Sequence, residues 1–210
     1  GKRMQPLTLK TPKPLLEINN ITLLERAINL LINHGVQEIS INVHYLPDQI
    51  QSFINKKKYQ AKITISNEED LILDTGGGVL KGTQSFGNNP FFVINPDTFW
   101  SKHYLTELKT LEAIYFKENK PTLLLVNKEL SIDPSFQGDF NLNNEKITKD
   151  DDNQFIFTGL QIINRDILID EKSKVFSMNK VWNKLIKDKR LQGLESNQKF
   201  YHLNTFDMYK

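Results

Sequence analysis

Along this chain the spacing of apolar residues switches repeatedly between a helical and an extended period, which restricts the fold to helices layered on a sheet. Thr22, with Glu25 three residues on, is a capping box that opens a helix. Leu23, Leu24, Ala27, Ile28, Leu30, Leu31 and Ile32 give that helix a broad apolar face, and Gly35 is placed to end it. Residues 36–43 then alternate as a strand, with Ile39, Ile41 and Val43 on one side. A short amphipathic helix is expected over 48–57 and a brief strand over 62–66. Residues 91–94 form a continuous apolar run bounded by Pro90 and Pro96, the pattern of a strand buried on both faces. A surface helix over 105–117 and a buried strand over 122–126 follow. Two or three antiparallel strands are expected within 138–163, joined through the acidic turn at 150–152. A helix over 175–189 and a last short strand over 200–203 close the pattern. No repeat or interdomain linker interrupts it, so residues 1–210 read as a single α/β domain.

Composition excludes several classes of function. With 27 Lys+Arg against 25 Asp+Glu, the net charge of +2 offers no broad attraction for nucleic acid or an acidic membrane. The absence of cysteine rules out a disulfide scaffold, a thiolate zinc site and a thiol nucleophile. No apolar run is long enough to span a bilayer, and nothing has the pattern of a signal peptide. The expectation is a cytoplasmic protein with small-molecule partners, no nucleic-acid or membrane partner, and a monomeric or weakly homo-oligomeric state.

Three segments could carry chemistry. The opening, Gly1-Lys2-Arg3-Met4-Gln5-Pro6-Leu7-Thr8, followed by Pro12-Lys13-Pro14-Leu15, suits a polyphosphate. Backbone amides near Gly1 can wrap an anion, Arg3 and Lys13 supply positive charge, and the two prolines restrict the backbone around Lys13. Read alone, the same residues also fit a solvated basic arm. The second segment, Thr75-Gly76-Gly77-Gly78, can approach a flat ligand without Cβ interference and present free N–H groups ahead of a short helix. A flexible loop is the plainer description. The third, Asn95-Pro96-Asp97, follows the strand over 91–94 and places a carboxylate where open α/β sheets bind ligands. Asp97 is a hard-oxygen ligand suited to Mg²⁺, although an Asx-type turn accounts for the same residues. His34, His44, His103 and His202 show no metal-clip spacing. No G-x-S-x-G, Walker A or G-x-G-x-x-G motif is present.

Taken together, the opening motif resembles the signature loop G-x-R-M-x-P-L-T…P-K-P-L of sugar-1-phosphate nucleotidylyltransferases. The likeness continues through residues 38–43, Thr75 to Gly78, Asn95 to Asp97, Gly138-Asp139-Phe140 and Phe157-Thr158-Gly159. The T-G-G-G form is similar to the N-acetylmuramate-1-phosphate uridylyltransferase branch, whose relatives are often labelled mannose-1-phosphate guanylyltransferases. The resemblance implies a Rossmann-like three-layer α/β/α nucleotide-diphospho-sugar transferase fold with a mixed sheet. It implies transfer of NMP from an NTP, UTP or GTP, to a sugar-1-phosphate, giving NDP-sugar and pyrophosphate. Gly1, Lys2, Arg3 and Lys13 would hold the triphosphate, and Gly76, Gly77 and Gly78 would face the base or ribose. Asn95, Gly138, Asp139, Thr158 and Gly159 would shape the sugar-phosphate pocket, with Arg3, Lys13 and Asp97 as the catalytic set.

Three departures from the family pattern stand out. The family's first strand, of the type I-L-A-A-G, is not among the 210 residues. Pro96 replaces the usual glycine before Asp97. At the family's W-x-D-x-G-T, the chain reads Phe200-Tyr201-His202-Leu203-Asn204-Thr205, which puts His202 at the second metal position. The implied cofactor is Mg²⁺, with Mn²⁺ favoured where imidazole replaces carboxylate. The alternative reading is a catalytically weakened homologue that binds nucleotide or sugar nucleotide as a sensor or partner.

Overall fold

The computed structural model describes residues 4–68, 71–203, 205 and 209. After two short 3₁₀ turns, Leu7–Leu9 and Lys13–Leu15, comes a hairpin in which β1 (Glu17–Ile18) and β2 (Ile21–Thr22) pair antiparallel. Asn19 and Asn20, at φ 51° and 60°, make its turn in the left-handed region that asparagine tolerates. Helix α1 (Leu23–His34) starts and stops on the expected signals. Thr22 Oγ1 accepts from the Glu25 amide at 3.0 Å, and Gly35 ends the helix at φ 108°.

A strand, a helix and a second strand follow the same local logic: β3 (Glu38–Val43), α2 (Pro47–Lys56) and β4 (Lys62–Asn67). Strands β3 and β4 pair in parallel from Glu38↔Lys62 to Val43↔Asn67. Beyond them come α3 (Asp74–Gly82), β5 (Phe91–Ile94), α4 (Leu105–Glu118) and β6 (Thr122–Asn127). The chain continues through β7 (Asn141–Asn143), β8 (Lys146–Thr148), β9 (Phe155–Ile163), α5 (Met178–Lys187) and β10 (Gln192–Ser196). The main sheet runs β5-β9-β6-β10-β8-β7, with β10 parallel to β6 and β9 antiparallel to both β5 and β6. It is a mixed sheet, as expected.

The alternation of β6 separates two cores. Leu124 packs with the apolar faces of α1 and α4, while Leu123 and Leu125 pack with α5 on the opposite side. All three are fully buried, and such side chains contribute about 1.5–3 kcal/mol each relative to exposure. Helices thus cover both faces of the sheet.

Two sequence expectations are corrected here. Residues 200–203 form isolated bridges, Ser131↔Phe200 and Thr98↔His202, rather than a strand. Strand β5 is less enclosed than its apolar run implies, since only Phe91 is buried and Phe92, Val93 and Ile94 are half-buried. The reason is topological. Among the described residues β5 pairs only with β9 and β3 only with β4, so each presents an open edge. A cavity of about 1100 Å³ runs between these edges, reached by Ile39 and Ile41 from β3, Phe92 and Ile94 from β5, and Leu24 and Leu31 from α1.

Candidate active site

The amino-terminal motif is anchored by Met4, which is buried against Leu16, Leu23 and Leu203. Gly1, Lys2, Arg3 and Asn204 lie outside the described residues. Lys13 begins a 3₁₀ turn between Pro12 and Pro14, closed by Leu15 N donating to Pro12 O at 2.8 Å. From this fixed base its ammonium donates to Asp97 Oδ2 at 2.8 Å. Asp97 reaches that point because the chain leaving β5 is tied down on both sides. Asn95 N donates to Gly159 O at 2.8 Å, and Leu203 N donates to Asp97 O at 2.9 Å.

The pairing of Thr98 with His202 carries the imidazole to the same place, with Nε2 at 3.7 Å from Asp97 Oδ2. Thr98 Oγ1 donates its proton to Thr158 O at 2.7 Å and lies 3.5 Å from His202 Nδ1. With its one hydroxyl proton committed, Thr98 can only accept from Nδ1. Phe200 stacks on the ring at 5.9 Å between centroids and Phe136 meets it edge-on at 5.5 Å, fixing its plane.

The glycine run behaves differently from expectation. Gly76, Gly77 and Gly78 lie inside α3, not ahead of it. The amides of Gly76 and Gly77 both donate to Phe176 O, at 2.9 and 3.1 Å, so the expected free N–H groups are absent at these two positions. A Cβ on Gly77 would fall 2.1 Å from Lys174 O, which shows that the close approach is made by the chain itself. Gly78 lines the large cavity, and its carbonyl accepts from Asn42 Nδ2 at 2.7 Å. Asn42 Nδ2 also donates to Glu68 Oε1 at 2.6 Å, and the buried Glu68 carboxylate accepts from Leu73 N at 3.3 Å.

On the opposite wall, Asn95 and Asp139 face the cavity together with Phe157. Asp139 Oδ2 accepts from Phe157 N at 2.9 Å. Burial raises the Asp139 carboxyl above the usual carboxylate range, outweighing the lowering by the Phe157 amide and by Lys149. Thr158 and Gly159 stand behind this wall rather than in it. Thr158 Oγ1 donates to Leu124 O at 2.9 Å, and Gly159, at φ 91°, would bring a Cβ to 2.8 Å from Asn95 Cβ. Gly138 lines a separate cavity of about 650 Å³ beside Lys128, Phe136 and Asp152. Of the five residues assigned to the sugar phosphate, the structure brings Asn95 and Asp139 to the large cavity and sets Gly138, Thr158 and Gly159 outside its lining.

The arrangement is one cation and one carboxylate in contact at the edge of a large cleft between helices and strand ends. Residues 1–130 of this chain match the family described as Nucleotidyl transferase. The chain belongs to that family. The N-acetylmuramate alpha-1-phosphate uridylyltransferase of Caulobacter vibrioides is 26% identical over 211 residues, covering 97% of this chain and 87% of that protein. The mannose-1-phosphate guanyltransferase of Saccharomyces cerevisiae is 37% identical over 100 residues, covering 46% of this chain and 28% of that protein. Among solved structures, a UDP-glucose pyrophosphorylase complexed with UDP-glucose superposes with a TM-score of 0.79 at 17% identity, covering 99% of this chain and 91% of that one. HddC from Yersinia pseudotuberculosis complexed with GMP-PN gives 0.77 at 21% identity, covering 95% and 87%. These structural likenesses bear on the fold, which is that of a nucleotidyltransferase.

This nucleotidyl transferase carries cleft residues that no motif singled out, Asn42 and Gln161 among them, while Trp182 is the core and pocket-wall residue that an indole is expected to be. Asn42 and Glu68 hold Gly78 from the β3–β4 side, and Trp182 Nε1 donates to Gln161 Oε1 at 3.0 Å across the opposite core. Both Gln161 and Trp182 also reach the cavity. Nothing local in the sequence marks Glu68 and Gln161 for this, because their burial, and with it the need for a partner, exists only in the fold.

Proposed function

We propose that this enzyme transfers NMP from a nucleoside triphosphate, UTP or GTP, to a sugar-1-phosphate, giving NDP-sugar and pyrophosphate. The observation that carries the reading is the contact of Lys13 with Asp97 at 2.8 Å, beside a cleft also lined by Gly78, Asn95 and Asp139. An oxygen of the sugar phosphate attacks the α-phosphorus in line, forming the new P–O bond as the bond to the leaving pyrophosphate breaks. The attacking phosphate is already ionised at neutral pH, so no general base is needed. Two anions must meet, and alignment and charge neutralisation account for the catalysis. Lys13 balances charge on the α-phosphoryl, while Gly1, Lys2 and Arg3 are assigned to the triphosphate by the motif. Met4, which follows these three residues in the chain, is buried beside Leu203, whose amide donates to Asp97 O, and this supports the assignment. We assign Asn95 and Asp139, which line the cleft, to sugar hydroxyls, and Gly78 to the border of the base. Thr158 and Gly159 hold that wall from behind.

The residues fit a divalent cation. Asp97 offers a hard oxygen, and His202 Nε2 faces the same oxygen at 3.7 Å. Among the described residues no cluster of three or more His, Cys, Asp or Glu side chains could hold a metal, so phosphate oxygens and water would complete its shell. When bound, Mg²⁺ or Mn²⁺ would neutralise and orient phosphate oxygens. Because an imidazole stands beside Asp97, Mn²⁺ is the ion we favour.

The open edges of β3 and β5 support a further reading, that the part of the cavity along Ile39, Ile41, Phe92 and Ile94 seats the family's first strand, which leaves the part at Gly78, Asn95 and Asp139 to the substrates. We place the reaction in the cytoplasm. A pyrophosphate-release assay over UTP, GTP and a panel of sugar-1-phosphates tests the function. Turnover with one pair is expected. Saturable nucleotide binding with no turnover by any pair would favour the sensor reading instead, the one that His202 beside Asp97 supports.

A further inference from the structure

Lys13 and Asp97 are given different ligands by the proposed reaction, phosphate for one and metal for the other, yet here they bind each other. Lys13 Nζ sits on Asp97 Oδ2 at 2.8 Å, and His202 Nε2 faces that same oxygen at 3.7 Å. A cation held by Asp97 and His202 would therefore use the oxygen the ammonium already occupies. At a metal–oxygen distance of about 2.1 Å, ammonium and divalent ion on one oxygen would stand within about 5 Å and repel strongly. The pair is only partly exposed, at 18% and 29% for the two side chains, so solvent does not screen the repulsion fully. Pro12 and Pro14 hold the Lys13 backbone, which leaves the flexible side chain as the part that moves.

We propose that Lys13 and the divalent cation compete for Asp97, and that triphosphate admits the metal by drawing the Lys13 ammonium onto phosphate. Resting on the phosphate and metal roles assigned above, this makes one lysine the coupling element between two ligands. Metal alone binds weakly because the ammonium must be displaced. Nucleotide removes that competitor, and by linkage the metal raises nucleotide affinity by the same factor. Lys13 also keeps the Asp97 carboxylate neutralised until the ligands arrive.

The test is a Mn²⁺ titration of the 210-residue chain without nucleotide, followed by the electron paramagnetic resonance signal of free Mn²⁺. Lys13→Met and Lys13→Gln each remove the competitor and are expected to tighten Mn²⁺ binding about tenfold, within the usual range of coupling between sites. Lys13→Arg keeps a cation on Asp97 and should titrate like the parent chain. Asp97→Asn should lose the site in every background. Thermal melting confirms that each variant is folded, and the two neutral variants guard against one that is not. Equal or weaker Mn²⁺ binding in both neutral variants, or equal tightening by Lys13→Arg, overturns the competition. No substrate or turnover enters this titration, so its failure is separable from failure of the pyrophosphate assay.

Discussion

Lys13 Nζ meets Asp97 Oδ2 at 2.8 Å although 84 residues separate them. The contact joins the turn after the amino-terminal motif to the loop that follows β5, and a third segment locks it. Leu203 N donates to Asp97 O, and the Leu203 side chain packs on Met4. The charge pair therefore depends on three stretches of chain arriving together.

Asp97→Asn keeps the shape of the side chain and removes its charge. The pair is partly exposed, so the loss of folding stability should stay below about 1 kcal/mol. Turnover should fall about 10²- to 10³-fold, the usual consequence of losing one group that stabilises transition-state charge. Pyrophosphate release and thermal melting check the two halves. A variant that keeps most of its turnover would remove Asp97 from the chemistry.

Gly77→Ala should be destabilising despite the better helix propensity of alanine, which is worth only about 1 kcal/mol. The new Cβ would lie 2.1 Å from Lys174 O, a backbone atom, and overpacking of this kind costs about 1–3 kcal/mol. Gly159→Ala meets both a φ of 91° and Asn95 Cβ at 2.8 Å. It should raise the KM for the sugar phosphate as well as lower stability, since it pushes Asn95 out of place. Urea unfolding and steady-state kinetics separate these two glycines.

Burial raises the Asp139 carboxyl, so the folded protein binds this proton more tightly than the unfolded chain. Its contribution to stability is full below the ordinary value of 3.8 and is lost as pH rises from there through the raised folded value. Asp139→Asn should therefore flatten the pH dependence of stability above 3.8 and stabilise the protein at neutral pH. Denaturation midpoints measured across that range give the answer. A slope unchanged by the substitution would contradict the assignment.

Amide exchange should distinguish strands by how many neighbours they have. Strand β6 is paired on both sides, whereas β3 and β5 each have one partner among the described residues. Amides of β6, and of β9 and β10, which also lie between two partners, should exchange slowest. Appending an apolar extended segment ahead of the chain should slow β3 and β5 selectively, because a strand seated between them satisfies both edges. Protection spread evenly over the sheet would argue against the slot.

How much of this was readable in advance differs from element to element. The helix after Thr22 was fully legible, because capping box, apolar stripe and terminal glycine act within one or two turns of chain. Strand β10 was not. Gln192-Gly193-Leu194-Glu195-Ser196 has neither β-branched residues nor alternation, yet it runs parallel to β6 in the middle of the sheet. Its position is decided by β6 on one side and β8 on the other. The glycine run was legible as a place of close approach but not as to what approaches. A missing Cβ signals tight space without naming the neighbour, which proved to be the Lys174–Phe176 backbone.

The sequence by itself determined the helices, most strands, the layered class and the residue types able to handle phosphate and metal, since periodicity, caps and side-chain chemistry are local. Tertiary structure alone decided that Lys13, Asp97 and His202 share one carboxylate oxygen, that Glu68 and Asn42 brace Gly78, and that β3 and β5 face each other across a cavity. Those facts follow from packing between segments tens of residues apart, where the neighbour of each group is set by the whole core and not by the chain beside it.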